Sequence, residues 1–159
     1  INKINKNADE KINIIMNECE KTKEEMAEHN MSQKVKLEIT TNVYPKPLVC
    51  EGMKSDDSEC LSYEWMDNRE QTPSKFVLKY LKSNKVIKLE RIGEVASKLV
   101  FETGKMTKGI FITPYGQMEM NIETEFINIP NMFSPKLEFA YRMLENEDMD
   151  RNIFVIKEI

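Results

Sequence analysis

One histidine, three cysteines, five glycines and one tryptophan are all that this chain of 159 residues contains of those types, and each shortage removes a class of chemistry. The single histidine, His29, lies in the first thirty residues and reads as a capping or exposed residue near a helix end. Everything after it therefore lacks the base that Ser-His or Cys-His catalysis requires. Cys19, Cys50 and Cys60 are odd in number and irregular in spacing, so they provide neither a zinc knuckle nor a paired disulfide framework. Reduced thiols in a cytoplasmic protein are the expectation, with a Cys50–Cys60 bridge as the alternative. The glycines are not spaced as a phosphate loop of either common pattern, GxGxxG or GxxxxGK(S/T), anywhere in the chain. No apolar run exceeds a few residues, which excludes a membrane-spanning helix, and no apolar segment of signal-peptide type follows the Lys/Asn-rich start. Positive charge is also short. With 23 basic against 27 acidic side chains, a net charge of −4 and a pI near 5.3, the chain lacks the basic face that neutralises nucleic-acid phosphates. No metal and no cofactor are expected.

Enough remains for one domain with a real core, since 40% of the residues are hydrophobic against 31% charged. The chain divides near Met31. Residues 1–30 hold five lysines and seven acids without a glycine, proline or aromatic residue. Between Asp9 and His29 the apolar positions Ile12, Ile15, Met16, Cys19 and Met26 follow a helical period, and Asp9 and Glu10 stand where the helix dipole favours negative charge. A helix docking mainly through its first half is expected there, as an extension before a domain spanning residues 31–159.

After Met31 the period drops to two. Val35, Leu37 and Ile39 alternate with polar residues, as do Leu61, Tyr63 and Trp65, then Phe76, Leu78 and Tyr80, then Val95, Ser97, Leu99 and Phe101. Met118, Met120, Ile122, Thr124 and Phe126 make the clearest set, opposite Gln117, Glu119, Asn121, Glu123 and Glu125. Leu137, Phe139, Tyr141 and Met143 follow, and Ile153 to Ile156 supply a last short strand. Turn signals at Ser83-Asn84, Thr103-Gly104, Pro114-Tyr115-Gly116 and the acidic stretch Asn146 to Asp150 keep the connections short. No helical stretch intervenes to act as a parallel crossover. The reading is all-β, an antiparallel meander of eight to ten segments closed into a barrel to hide its edges, with a sandwich as the alternative.

The stretch Ser97-Lys98-Leu99-Val100-Phe101-Glu102-Thr103-Gly104-Lys105, followed by Thr113-Pro114-Tyr115-Gly116-Gln117-Met118-Glu119-Met120, resembles the signature of the YwiB-like family of small bacterial proteins of unknown function. Leu48-Val49-Cys50-Glu51-Gly52, Leu61-Ser62-Tyr63-Glu64, Arg91-Ile92-Gly93 and Leu137-Glu138-Phe139-Ala140-Tyr141 fit the same pattern in the same order, over residues 34–159. The resemblance implies a calycin-type barrel related in shape to lipocalin-like carriers, and it brings no catalytic residues. Two stretches depart from it. The helix over 9–29 precedes the usual start of the domain, with Met31 as an alternative start. The segment Asn68 to Ser74 lacks the glycine- and threonine-rich character of the family at what should be the barrel rim.

Function then turns on the interior. Large inward candidates (Phe76, Phe101, Phe126, Phe139, Met118, Met120 and Met143) suit a packed core better than a roomy pocket. Glu119, Glu123 and Glu125 read as a solvated strand face. The residues that could convert a core into a site are Arg91, which shares a face with Ile87 and Leu89 and needs a partner if it points inward, and Tyr63 and Tyr141, whose hydroxyls need partners on apolar faces. Tyr115 in its turn and Trp65 near a strand end are candidate rim aromatics. The leading expectation is a non-enzymatic cytoplasmic barrel that takes a small amphipathic or anionic molecule. The alternative is a solid-core interaction module that assembles, as a homo-oligomer or with a partner, through the N-terminal helix or the rim.

Overall fold

A computed structural model describes residues 32–144 and 150–159. The helix expected over 9–29, with Cys19 and His29, and most of the acidic turn from Asn146 lie outside the described residues. Within them are ten strands: β1 (Gln33–Thr41), β2 (Leu48–Asp56), β3 (Cys60–Asp67), β4 (Ser74–Leu81), β5 (Val86–Ile92), β6 (Ala96–Glu102), β7 (Met106–Thr113), β8 (Gly116–Asn128), β9 (Lys136–Met143) and β10 (Asn152–Glu158). Each strand pairs antiparallel with its sequence neighbour, and β1 closes the cylinder against β10 through Ile39 opposite Ile156. An even number of strands is what lets a pure meander close with an antiparallel seam. Closure leaves a barrel and not a sandwich, and no described helix is long and apolar enough to cross a membrane.

Alternation in the sequence becomes alternation across the barrel wall. Leu37, Leu78, Ile87, Ile122, Leu137 and Ile156 point inward and are fully or almost fully buried, while most of their sequence neighbours are more exposed; Val77 and Val86 are buried as well. Two strands carry a weaker signal because their inward positions are small. Gly52 of β2 lies so close to its neighbours that a Cβ there would sit 2.6 Å from the Glu64 carbonyl oxygen and 2.6 Å from Leu37 Cδ1. At Gly109 of β7 a Cβ would meet Leu99 Cδ2 at 2.6 Å. These glycines are the spaces that leucines from neighbouring strands fill. The turn expected at Ser83-Asn84 runs from Lys82 to Lys85, with the left-handed residue at Lys85 (φ 57°), whose N–H donates to the Leu81 carbonyl at 2.8 Å.

β8 corrects the expected inward set. A register shift between Thr124 and Phe126 turns the strand, so Ile127 packs on the core and Phe126 faces out beneath the Arg151 guanidinium at 5.8 Å. A bulge inserts one residue and inverts the faces beyond it. At the other end of the strand, Met118 is largely exposed because β8 pairs with β9 only from Ile122 onward. The packed part of the barrel is aromatic. Phe101 lies 4.7 Å from Phe139 and 4.6 Å from Tyr141 between ring centroids, and Phe139 stacks on Phe154 at 5.1 Å. Cys50 and Cys60 are free thiols, and burial pushes both above the usual thiol range.

Candidate functional site

The barrel is packed at the end bearing the β2–β3, β4–β5 and β6–β7 turns and hollow at the opposite end. There a cavity of about 300 Å³ opens between the β1–β2, β3–β4 and β5–β6 connections. Interior width explains the difference. Eight strands enclose a space that side chains just fill, and the diameter grows with strand number. With ten strands, the aromatic cluster fills one level and leaves the next empty. The apolar part of the cavity wall includes Ile39, Trp65, Phe76, Leu89, Leu99, Phe111 and Phe154. Trp65 and Phe76 stack almost parallel, 5.4 Å apart at 6°, as cross-strand partners in β3 and β4. Tyr141 borders the same space. Burial pushes its phenol up to about 12, so the hydroxyl stays protonated and can donate.

The polar groups gather at the mouth. Arg69 grips Asp67 through two bonds, Nε to Oδ1 at 3.0 Å and Nη2 to Oδ2 at 2.8 Å, and its guanidinium lies 3.8 Å from the centre of the Tyr44 ring. The Tyr44 hydroxyl donates to Glu70 Oε1 at 2.8 Å, and Arg91 Nη2 donates to Glu70 Oε2 at 3.0 Å. Arg91 Nε in turn donates to Ser74 Oγ at 3.1 Å, with the guanidinium 5.7 Å from the Phe76 ring centre. Gly93 makes room for this contact, since a Cβ there would lie 2.8 Å from Ser74 Oγ. Two cations and two anions thus form one chain of contacts around an apolar opening.

These contacts set the carboxylates' titration. Burial alone would raise Asp67, but hydrogen bonds from the Arg69 side chain and backbone, with the charges of Arg69 and Arg91, hold it below the usual carboxylate range. Hydrogen bonds from Tyr44 and then Arg91 lower Glu70, and the same bond to Glu70 raises the Tyr44 phenol. A carboxyl group whose folded-state pKa is depressed stabilises the fold fully above its ordinary value of about 4, and that contribution disappears as pH falls through the lowered value. Asp67→Asn is therefore expected to reduce stability by about 1 kcal/mol at neutral pH, the modest figure suiting a partly exposed pair. The deficit should shrink as pH falls below about 4. Urea midpoints of both proteins across this range check it, and a pH-independent deficit would contradict it.

Of the five residues singled out from the sequence, Arg91, Trp65 and Tyr141 line the cavity together. Tyr63 lies outside its lining, buried among the side chains of the packed barrel, where burial and then the nearby Glu158 and Asp56 carry its phenol well above the ordinary tyrosine range. Tyr115 is wholly exposed at the tip of the β7–β8 turn, away from the cavity lining. The pattern reading missed Tyr44, Asp67, Arg69 and Glu70, all on connections or strand ends. Two signals pointed toward them: Asp67 and Arg69 stand two residues apart at the end of an alternating strand, and Asn68 to Ser74 departs from the family's composition.

A closed, antiparallel, ten-stranded meander with one hollow end is a calycin-type barrel. The chain belongs to the family described as a domain of unknown function, DUF1934, whose model matches residues 30–154. Its structure is similar to the crystal structure of the ywiB protein from Bacillus subtilis, with 14% sequence identity and a TM-score of 0.52 over 79% of this chain and 90% of that one. At this identity the likeness speaks for the fold alone, and the resemblance read from Ser97 to Met120 is borne out at that level. No curated protein matches the sequence.

Proposed function

We propose that this barrel is a non-enzymatic cytoplasmic carrier or sensor of a small amphipathic molecule, held with its apolar body between Trp65, Phe76, Leu89 and Leu99 and its polar end at Arg91. The observation that carries the reading is the cavity itself, a concave apolar space of ligand size with a few convergent polar groups at its mouth. A solid-core interaction module is disfavoured by the same hollow. Trp65 is the only tryptophan in the chain and lies in the cavity wall, so its fluorescence reports occupancy directly. A saturable change in Trp65 emission on titration with decanoate or decanol is expected, together with a retained small-molecule adduct in native mass spectra of protein purified from its source cells. An adduct-free mass combined with an unresponsive Trp65 would overturn the reading.

A further inference from the structure

The mouth of the cavity already holds a carboxylate, and it belongs to the chain. Glu70 is cradled by one donor on each oxygen, the Tyr44 hydroxyl at 2.8 Å and Arg91 Nη2 at 3.0 Å. We propose that this cradle is a carboxylate-binding subsite which Glu70 fills from within, and that a small monocarboxylate with an apolar tail displaces Glu70 when it enters the cavity. The inference rests on the ligand-binding reading above and adds to it the chemical class of the ligand and the group that competes with it.

Both donors are held independently of Glu70. Tyr44 is covered by the Arg69 guanidinium, which Asp67 fixes in place, while Arg91 is braced by Ser74 and lies over Phe76. The cradle therefore keeps its shape when Glu70 leaves. Glu70 is the loosely held partner. Its side chain is 53% exposed on the β3–β4 connection, and its two bonds come from residues distant in sequence, Arg91 21 residues away and Tyr44 26 residues away. Asp67 is the contrast, 11% exposed and doubly bonded to a near neighbour in sequence. A ligand carboxylate in the cradle takes over both bonds that Glu70 gives up, from Tyr44 and from Arg91, and the exposed ion pair it replaces contributes little.

Charge favours a monoanion. Arg69 and Arg91 balance Asp67 and Glu70, so once Glu70 swings out to solvent a ligand carboxylate restores the single negative charge at the cradle, whereas a dianion such as a phosphate monoester adds a second charge with no cation to meet it. Below the cradle, Phe76 stacks on Trp65 and gives a continuous apolar path inward. A volume of about 300 Å³ accommodates about ten non-hydrogen atoms at the roughly 30 Å³ that a water-sized group occupies. That suits a medium-length acyl chain.

Isothermal titration of decanoate and decanol into the wild type, Glu70→Gln and Arg91→Met separates the possibilities, with thermal melts of each unliganded variant to establish folding. Glu70→Gln keeps the side-chain shape and removes the competing charge, and should tighten decanoate binding by about tenfold while leaving decanol within about twofold. Arg91→Met should bring decanoate down to the level of decanol, and Tyr44→Phe, which removes the other donor without emptying the site, should weaken decanoate alone. Unchanged or weaker decanoate binding by Glu70→Gln, in a wild type that binds both compounds, overturns the internal carboxylate and leaves the cavity reading standing. Failure of every variant to bind either compound overturns both.

Discussion

Phe101→Ala is expected to be the most damaging conservative truncation in the barrel, costing about 3–5 kcal/mol as a large-to-small change at a fully enclosed aromatic. Phe101 has no exposed surface and touches Phe139 and Tyr141 at centroid distances of 4.7 and 4.6 Å. Removing its ring loses the buried apolar area and also the favourable tilted contacts with two neighbours, each worth about 0.5–1.5 kcal/mol beyond area alone. The site cannot collapse to compensate, because both partners sit on β9, which hydrogen bonds fix between β8 and β10. For a domain of this size the melting temperature should fall by about 10–15 °C. Phe126→Ala is the informative comparison. The sequence pattern places both residues inward, but the bulge turns Phe126 outward, so its truncation should cost well under half as much. Equal losses at the two positions, measured by thermal melts, would contradict the register of β8.

That pair of residues shows where the sequence is legible and where it is not. Parity along a strand identifies inward residues only while the register holds. Nothing in Ile122 to Ile127 marks the extra residue, so counting by twos runs straight through the bulge. β2 and β7 are faint for a different reason: their inward positions include Cys50, Gly52 and Gly109, whose smallness is the structural point but carries no hydrophobic signal. Arg91, Trp65 and Tyr141 could be picked out because they sit on strands whose parity is clear. Tyr44 and Glu70 could not, because they lie on connections without a period and meet across 26 residues of chain. The hollow itself is hardest to read. Whether an inward set fills a barrel depends on the number of strands enclosing it, and a count of eight to ten spans the difference between a packed interior and one with room to spare.

Ser97→Phe puts that room to the test, with two effects of opposite sign expected from one substitution. Ser97 is buried in the cavity wall, paired in register with Arg91 on β5 and Phe111 on β7. A phenyl ring there projects into the 300 Å³ space and covers apolar surface that the empty cavity leaves without partners. Full burial of such a side chain contributes about 1.5–3 kcal/mol, from which the loss of rotamer freedom must be subtracted, so a gain of about 1 kcal/mol in stability is expected. The same ring takes the volume that the acyl tail needs, and decanoate binding should fall by about 100-fold or more, since the tail's burial supplies most of the affinity. Ser97→Ala, which changes neither volume nor charge, should leave both quantities close to the wild type. The combination is diagnostic. In a packed interior the extra ring would have nowhere to go, and overpacking would destabilise the barrel by about 1–3 kcal/mol. In a cavity that is hollow but not the binding site, the variant would be stabilised and would still bind. Only a hollow that is itself the site gives a protein that melts higher and no longer takes its ligand.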